Sequence, residues 1–318
     1  MLNNNVIPFF KKFLLFLAVV FVVDRAIGFG LEKLYFSLDR GQFAQNTYAL
    51  DKASPDILVF GSSRAQHHYS SEILSNKLGL SIYNAGRDGQ FLPYYCAVQD
   101  VILQRKTPKI IILDVNIWEL GPNEQKYSKL AQLLPYVAEH PILKKYTAEI
   151  SEFENLKLIS KTYPYNSTLL ISVYDHLFTD KQPEDDRGYF PLIGQVSEQM
   201  FNKYKTEKAV YDKKRALQNI QIDQHAVAYY HQFLQKTKDL NIKTYVVISP
   251  TVLKEPNTEE KSLLESIAKK YSNVTFLDYA TDSIYNNHYQ LFADEFHLNK
   301  KGAEKFSEEL AERMRDVF

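Results

Sequence analysis

Two groups of side chains in this sequence have the types and spacing for nucleophilic catalysis. Gly61-Ser62-Ser63 closes the run Asp56-Ile57-Leu58-Val59-Phe60, and Asp294-x-x-His297 stands near the carboxyl terminus. A serine hydroxyl is inert at neutral pH and becomes a nucleophile only beside a base that takes its proton. In a turn, an aspartate three residues before a histidine can reach the Nδ1–H of that ring. It would then hold the tautomer and leave Nε2 free to accept a proton. Each group also has a plainer reading. Serines after a strand commonly cap the next helix, and most Asp-x-x-His pairs are polar surface pairs.

The elements around these residues decide what they can meet. Ile57-Leu58-Val59-Phe60 is a short continuous apolar run, the pattern of a strand buried on both faces of a parallel sheet. A helix of about ten residues is expected after Ser63. The next strand is Leu80-Ser81-Ile82-Tyr83, which ends in the glycine loop Asn84-Ala85-Gly86-Arg87-Asp88-Gly89-Gln90. Phe91 to Gln104 reads as a helix, broken at Thr107-Pro108. Ile110 to Leu113 reads as a third buried strand running into Asp114-Val115-Asn116. Strand and helix alternate, which predicts an α/β fold with a parallel sheet.

Residues 121–235 interrupt that rhythm with a region rich in Tyr, Lys, Glu and Leu. It reads as a helical insertion that could form a lid or cleft wall, with a polar loop from Thr179 to Pro191. Tyr163-Pro164-Tyr165 and Tyr189-Phe190-Pro191 could stack on sugars or simply pack. The α/β pattern then resumes: a helix from Asp223 to Asp239, a strand over Lys243–Ile248, a helix over Thr258–Tyr271 and a strand over Val274–Leu277. A terminal amphipathic helix covers Lys300 to Val317, with Asn299 as its expected N-cap. In a parallel sheet the residues after the first three strands converge on one rim, where open α/β sheets bind ligands.

The amino terminus makes a separate statement. Lys11-Lys12 precede an unbroken apolar run from Phe13 to Val23, and Asp24-Arg25 follow. The run alone suits a signal-peptide core, but no small-x-small cleavage site follows it. Continued through Phe29, with Arg25 snorkelling, it makes an uncleaved single-pass anchor. The lysines put the amino terminus in the cytoplasm and the body outside, in an extracytoplasmic (periplasmic) location. The expected organisation is an anchor over 1–31, a juxtamembrane connector over 32–55 and an α/β domain over 56–318. A cleaved signal and a soluble amphipathic helix are the weaker alternatives.

Composition narrows the classes. The 318 residues carry zero formal net charge and no long basic run, which removes electrostatic support for nucleic-acid binding. The single cysteine, Cys96, excludes an intrachain disulfide and sits in an apolar, aromatic stretch that suits a core. His67-His68, Asp223 with His225, and His288 make no zinc-type spacing; His67 or His68 could line the cleft by adjacency, with surface histidines as the plainer reading. Gly86 and Gly89 lack the rest of a nucleotide-loop fingerprint, so neither metal nor cofactor is expected. The 22 tyrosines and 20 phenylalanines against one tryptophan fit either a core or a carbohydrate-stacking surface.

Taken together, Gly-x-Ser after the first strand, a glycine loop after the second, Asn116 after the third and Asp-x-x-His before the last helix resemble the blocks of the SGNH (GDSL-like) hydrolase superfamily. The resemblance covers about 56–120 and 240–318 and leaves the helical middle outside. It implies a three-layer α/β/α, flavodoxin-like domain. Ser63 would be the nucleophile, His297 the base and Asp294 its orienter. The Ser63 and Gly89 backbone N–H groups and the Asn116 side-chain amide would form the oxyanion hole. Ser62 stands where an aspartate is usual, and Asp114-Val115 where Gly-Gly is usual.

The Gly-Ser-Ser form, the amino-terminal anchor and the closing His297-Leu298-Asn299-x-x-Gly302 look closer to membrane-anchored SGNH-like proteins of cell-envelope modification. Examples are those of alginate O-acetylation and teichoic-acid D-alanylation. That branch implies a serine esterase or O-acyltransferase acting on acylated envelope glycans, with a multi-pass membrane O-acyltransferase as partner. The competing expectation is a catalytically silent scaffold or glycan-binding subunit, suggested by the altered blocks. A third is a soluble cytoplasmic esterase whose apolar amino terminus packs as core.

Overall fold

The computed structural model describes residues 6–179, 187–217 and 221–315. The chain divides into two units, one of residues 1–47 and 130–182 and the other of 48–129 and 183–318. In the first unit, α1 (Val6–Phe36) is one unbroken helix, and Ile7 to Val23 are all exposed. Phenylalanine, leucine, alanine and valine fill Phe13 to Val23 with no glycine or proline to stop the helix, and Pro8 falls in its first turn, where no backbone N–H needs a partner within the helix. Its mean hydropathy reaches 2.2, with length and composition sufficient to cross a membrane. The helix α2 (Gly41–Asp51) follows. Tyr35, Phe43, Tyr136 and Tyr165 then build a small aromatic core around the Tyr35 ring, with the Tyr35 and Tyr136 hydroxyls 3.1 Å apart.

The second unit holds a five-stranded sheet: β1 (Ile57–Phe60), β2 (Ile82–Asn84), β3 (Ile110–Asp114), β4 (Lys243–Ile248) and β5 (Val274–Asp278). All neighbours are parallel, in the order β2-β1-β3-β4-β5. Alternate side chains of a strand point to opposite faces, so a sheet covered on both sides needs apolar residues at every position. Ile57, Val59, Ile110, Ile112, Tyr245 and Val247 pack in one cluster with Phe306 and Leu310 of the terminal helix, Lys300–Arg315. On the other parity, the Phe60 ring lies 5.4 Å from Phe233 of the helix Gln224–Asp239. Helices therefore cover both faces, and the domain is a three-layer α/β/α structure.

Two sequence readings need correction. The single helix expected after β1 is two: α3 (Ser63–His68) and α4 (Ser71–Leu78), parted by Tyr69 in an extended conformation. Ser70 caps α4 by accepting from the Ile73 N–H at 3.4 Å. The backbone groups freed by the break find partners elsewhere, as buried groups must. Asn84 Nδ2 donates to the Ala65 and Tyr69 carbonyls, and Ser307 accepts the Ser70 N–H at 2.8 Å. His67 and His68, expected at the surface, are both buried. The polar loop expected over Thr179–Pro191 falls partly outside the described residues. The helices α5 (Leu92–Ile102) and Glu259–Ala268 complete the described crossovers. Cys96 is buried, its thiol 3.2 Å from the Tyr229 carbonyl.

Candidate active site

The turn at the end of β1 is shaped by Gly61. Its φ of +148° is one that a side chain disfavours, and a Cβ there would lie 2.7 Å from Ala65 Cβ and 2.8 Å from the Asp114 carbonyl. The missing Cβ lets α3 start against the end of β3. Ser62 occupies the cap position without a capping bond to the helix, and Ser63 is the first helical residue. Its hydroxyl is thus free of the capping role.

The Ser63 hydroxyl lies 2.7 Å from His297 Nε2. On the far side of the ring, His297 Nδ1 lies 2.9 and 3.0 Å from the two Asp294 oxygens. A carboxylate accepts, so Nδ1 carries the proton and Nε2 presents its lone pair to the serine. Asp294 is itself held in place: its Oδ1 accepts the Phe296 and His297 N–H groups at 2.8 and 2.9 Å. Burial works to raise its pKa, but the His297 bond and these backbone donors outweigh burial and hold the carboxyl below the usual value.

The loop carrying this pair is pinned at both ends. A bridge joins Phe292 to Leu298, and the Ala293 N–H donates to the His297 carbonyl at 2.8 Å. Asn299 caps the terminal helix through the Gly302 N–H at 3.0 Å. The Leu298 N–H donates to His68 Nε2 at 3.0 Å, tying the loop to the last residue of α3. His68 is therefore a buried neutral imidazole. Its pKa is driven well below 6.5, first by burial and then by the charges of His297, Arg64 and His67.

The glycine loop after β2 is strapped to the same helix. The Arg87 N–H donates to the Gly61 carbonyl at 2.9 Å, and the Asp88 N–H to Gln66 Oε1 at 3.2 Å. His67 Nδ1–H donates to the Phe190 carbonyl at 2.7 Å, and its Nε2 lies 3.2 Å from Asp88 Oδ1. The next residue, Gly89, has φ +65°, the left-handed conformation that lets the loop turn back. Asn116 sits half-buried just after β3. Its Oδ1 accepts the Trp118 N–H at 3.1 Å, which turns the amide NH2 group away from that turn.

Ser63, His297 and Asp294 thus form one hydrogen-bonded series across 234 positions of chain. Gly89 and Asn116 lie in loops leaving the same rim of the sheet. Sequence reading missed Gln66 and Asp88, and offered His67 only as one of two histidines that could line the cleft by adjacency. Gln66 and His67 stand three and four residues after Ser63 and so share its helix face, a spacing that could have flagged them. It also missed the buried acids below the rim. Asp114 accepts from Tyr69 at 2.7 Å and from Ser249, and burial raises its pKa. Glu119 accepts the Leu92 N–H at 2.9 Å and is pushed up to about 7, chiefly by burial. An open pocket beyond β4 and β5, lined by Asp212, Lys254, Glu255 and Thr281, includes none of the aligned triad. Among the described residues no His, Cys, Asp and Glu side chains cluster as a metal site.

No family model matches the sequence, and no curated protein does. Three solved structures are similar in outline. A Streptococcus pneumonia protein described as a platelet activating factor is 12% identical, with 98% of this chain and 99% of that one covered and a TM-score of 0.41. The acetyl xylan esterase AlAXEase is 13% identical, covering 82% and 98%, at 0.38. A G-D-S-L family protein of Desulfitobacterium hafniense DCB-2, described as lipolytic, is 12% identical, covering 81% and 97%, at 0.36. With every TM-score below 0.5, none of them bears on the function of this chain.

Proposed function

We propose that the protein is a membrane-anchored, extracytoplasmic serine esterase or O-acyltransferase of the SGNH type, acting on acyl esters of envelope glycans. The observation that carries the reading is the 2.7 Å approach of the Ser63 hydroxyl to His297 Nε2, with Asp294 behind the ring. In the first half-reaction Ser63 Oγ attacks the ester carbonyl carbon while its proton passes to His297 Nε2. The negative charge that develops on the carbonyl oxygen meets the Ser63 and Gly89 N–H groups and the Asn116 amide. One such donor typically stabilises the transition state by ~2.7–4 kcal/mol.

The tetrahedral adduct collapses, the C–O bond to the leaving alcohol breaks, and the imidazolium returns its proton to that oxygen. Water or a sugar hydroxyl then attacks the acyl-Ser63 ester by the same steps in reverse, giving hydrolysis or transfer. Asp294 keeps the ring oriented and stabilises the imidazolium between the two halves. The exposed apolar length of α1 supports the anchor, and Lys11-Lys12 support a cytoplasmic amino terminus. A multi-pass membrane O-acyltransferase would be a fitting partner for transfer.

A fluorophosphonate probe tests the mechanism. Folded protein is expected to label at Ser63, with labelling abolished by Ser63→Ala and strongly reduced by His297→Gln. Folded protein that does not label would leave a silent scaffold as the better reading.

A further inference from the structure

We propose that Phe153, Leu156 and Ile159 form an apolar foot that enters the interface of the lipid bilayer crossed by α1. The inference rests on the reading of α1 as a membrane span. The first observation is the shape of the patch. Glu154–Lys157 is a single helical turn, in which the Phe153 carbonyl accepts both the Leu156 and Lys157 N–H groups, and the Ile159 N–H then bonds the Leu156 carbonyl. Residues three apart on such a turn are surface neighbours, so Phe153, Leu156 and Ile159 lie along one side of it. They are 57%, 62% and 62% exposed, an apolar row left uncovered by the described residues. Of the ionic groups beside it, Lys157 is paired with Glu154 and Lys161 with Glu32, while Glu152 is exposed next to Phe153.

The second observation fixes the height of the row on α1. The Arg25 guanidinium donates to the Ile159 carbonyl. Asp24 accepts from the Ser160 hydroxyl and from the Lys161 and Thr162 N–H groups. Lys161 packs so closely that a Cβ on Gly28 would overlap it. The row is therefore held at the level where the bare part of α1 ends, since every residue from Ile7 to Val23 is exposed and Asp24 is the first that is not.

Length supplies the third argument. Residues 7–23 rise by about 25 Å at 1.5 Å per residue, short of the ~30 Å hydrocarbon thickness. Lys11-Lys12, drawn to the near headgroups, shorten the effective span further. The far surface of the bilayer must then lie at or beyond Asp24, which brings the adjoining row to membrane level. A carboxylate there needs its oxygens satisfied without water, and Asp24 has that arrangement. Continuity with the span favours lipid over a protein occupant.

Depth-dependent quenching tests the foot. The full chain, in a Cys96→Ala background, is reconstituted in phosphatidylcholine/phosphatidylglycerol vesicles with a nitrobenzoxadiazole label on Leu156→Cys, Leu15→Cys or Lys145→Cys. The expected result is quenching of position 156 by shallow doxyl lipid, with an iodide quenching constant roughly threefold or more below that at 145. Iodide access at 156 equal to that at 145, with position 15 still quenched by lipid, overturns the foot and leaves the span standing. Shielding of 156 from iodide without lipid quenching means a protein covers the row, which also overturns it. Loss of lipid quenching at position 15 as well removes the span and the foot together.

Discussion

His297 is oriented by one carboxylate that is itself fixed by two backbone N–H groups of its own turn. Asp294→Asn keeps an oxygen for those N–H donors, so the turn is expected to survive. The new amide can no longer accept Nδ1–H on both sides or balance the imidazolium, and the ring is free to take the wrong tautomer. kcat for a simple ester such as p-nitrophenyl acetate is expected to fall by roughly 10³–10⁴-fold, with KM little changed. A loss confined to KM would mean that Asp294 serves binding and not the base. The buried acids at the rim have a different part. Asp114 lies against the backbone of Gly61 and accepts from Tyr69 and Ser249, so it helps shape the serine turn.

At the scale of elements, α3 is the organiser. Its first residue presents Ser63, Gln66 and His67 hold the glycine loop, and its last, His68, receives the Leu298 N–H from the base-bearing loop. The cost is a buried imidazole that must stay neutral. With a folded-state pKa below 6.5, the unfolded chain binds the extra proton first. The stability associated with His68 is therefore complete above about pH 6.5 and is lost as pH falls toward the depressed folded value. His68→Gln retains a side-chain acceptor for Leu298 and cannot titrate. Its Tm is expected to decline less between about pH 7 and pH 5 than that of the parent. An unchanged slope would assign the acid sensitivity to other groups.

At the scale of the molecule, one unit carries the long apolar helix and the other the hydrogen-bonded triad. If α1 is an uncleaved span, the native protein fractionates with membranes and resists carbonate extraction, because only an inserted helix withstands loss of surface charge. Recovery from cells of a soluble form beginning after residue 25 would count against the anchor.

Much of the sheet domain could be read directly from the chain. A strand covered on both faces has to be apolar at every position, so β1 and β3 announce themselves, and local rules of turns and caps expose Gly61, Asn299 and the Asp294–His297 pair. What no local rule contains is the break at Tyr69, since it is stabilised by Asn84 and Ser307 from distant elements. Nor does it contain the burial of His67 and His68 by covering segments far along the chain. The meeting of Ser63 with His297 belongs to the same class. Their types and turns are properties of short stretches, whereas their 2.7 Å approach follows from parallel strand order and from the packing of the terminal helix on α3 and α4.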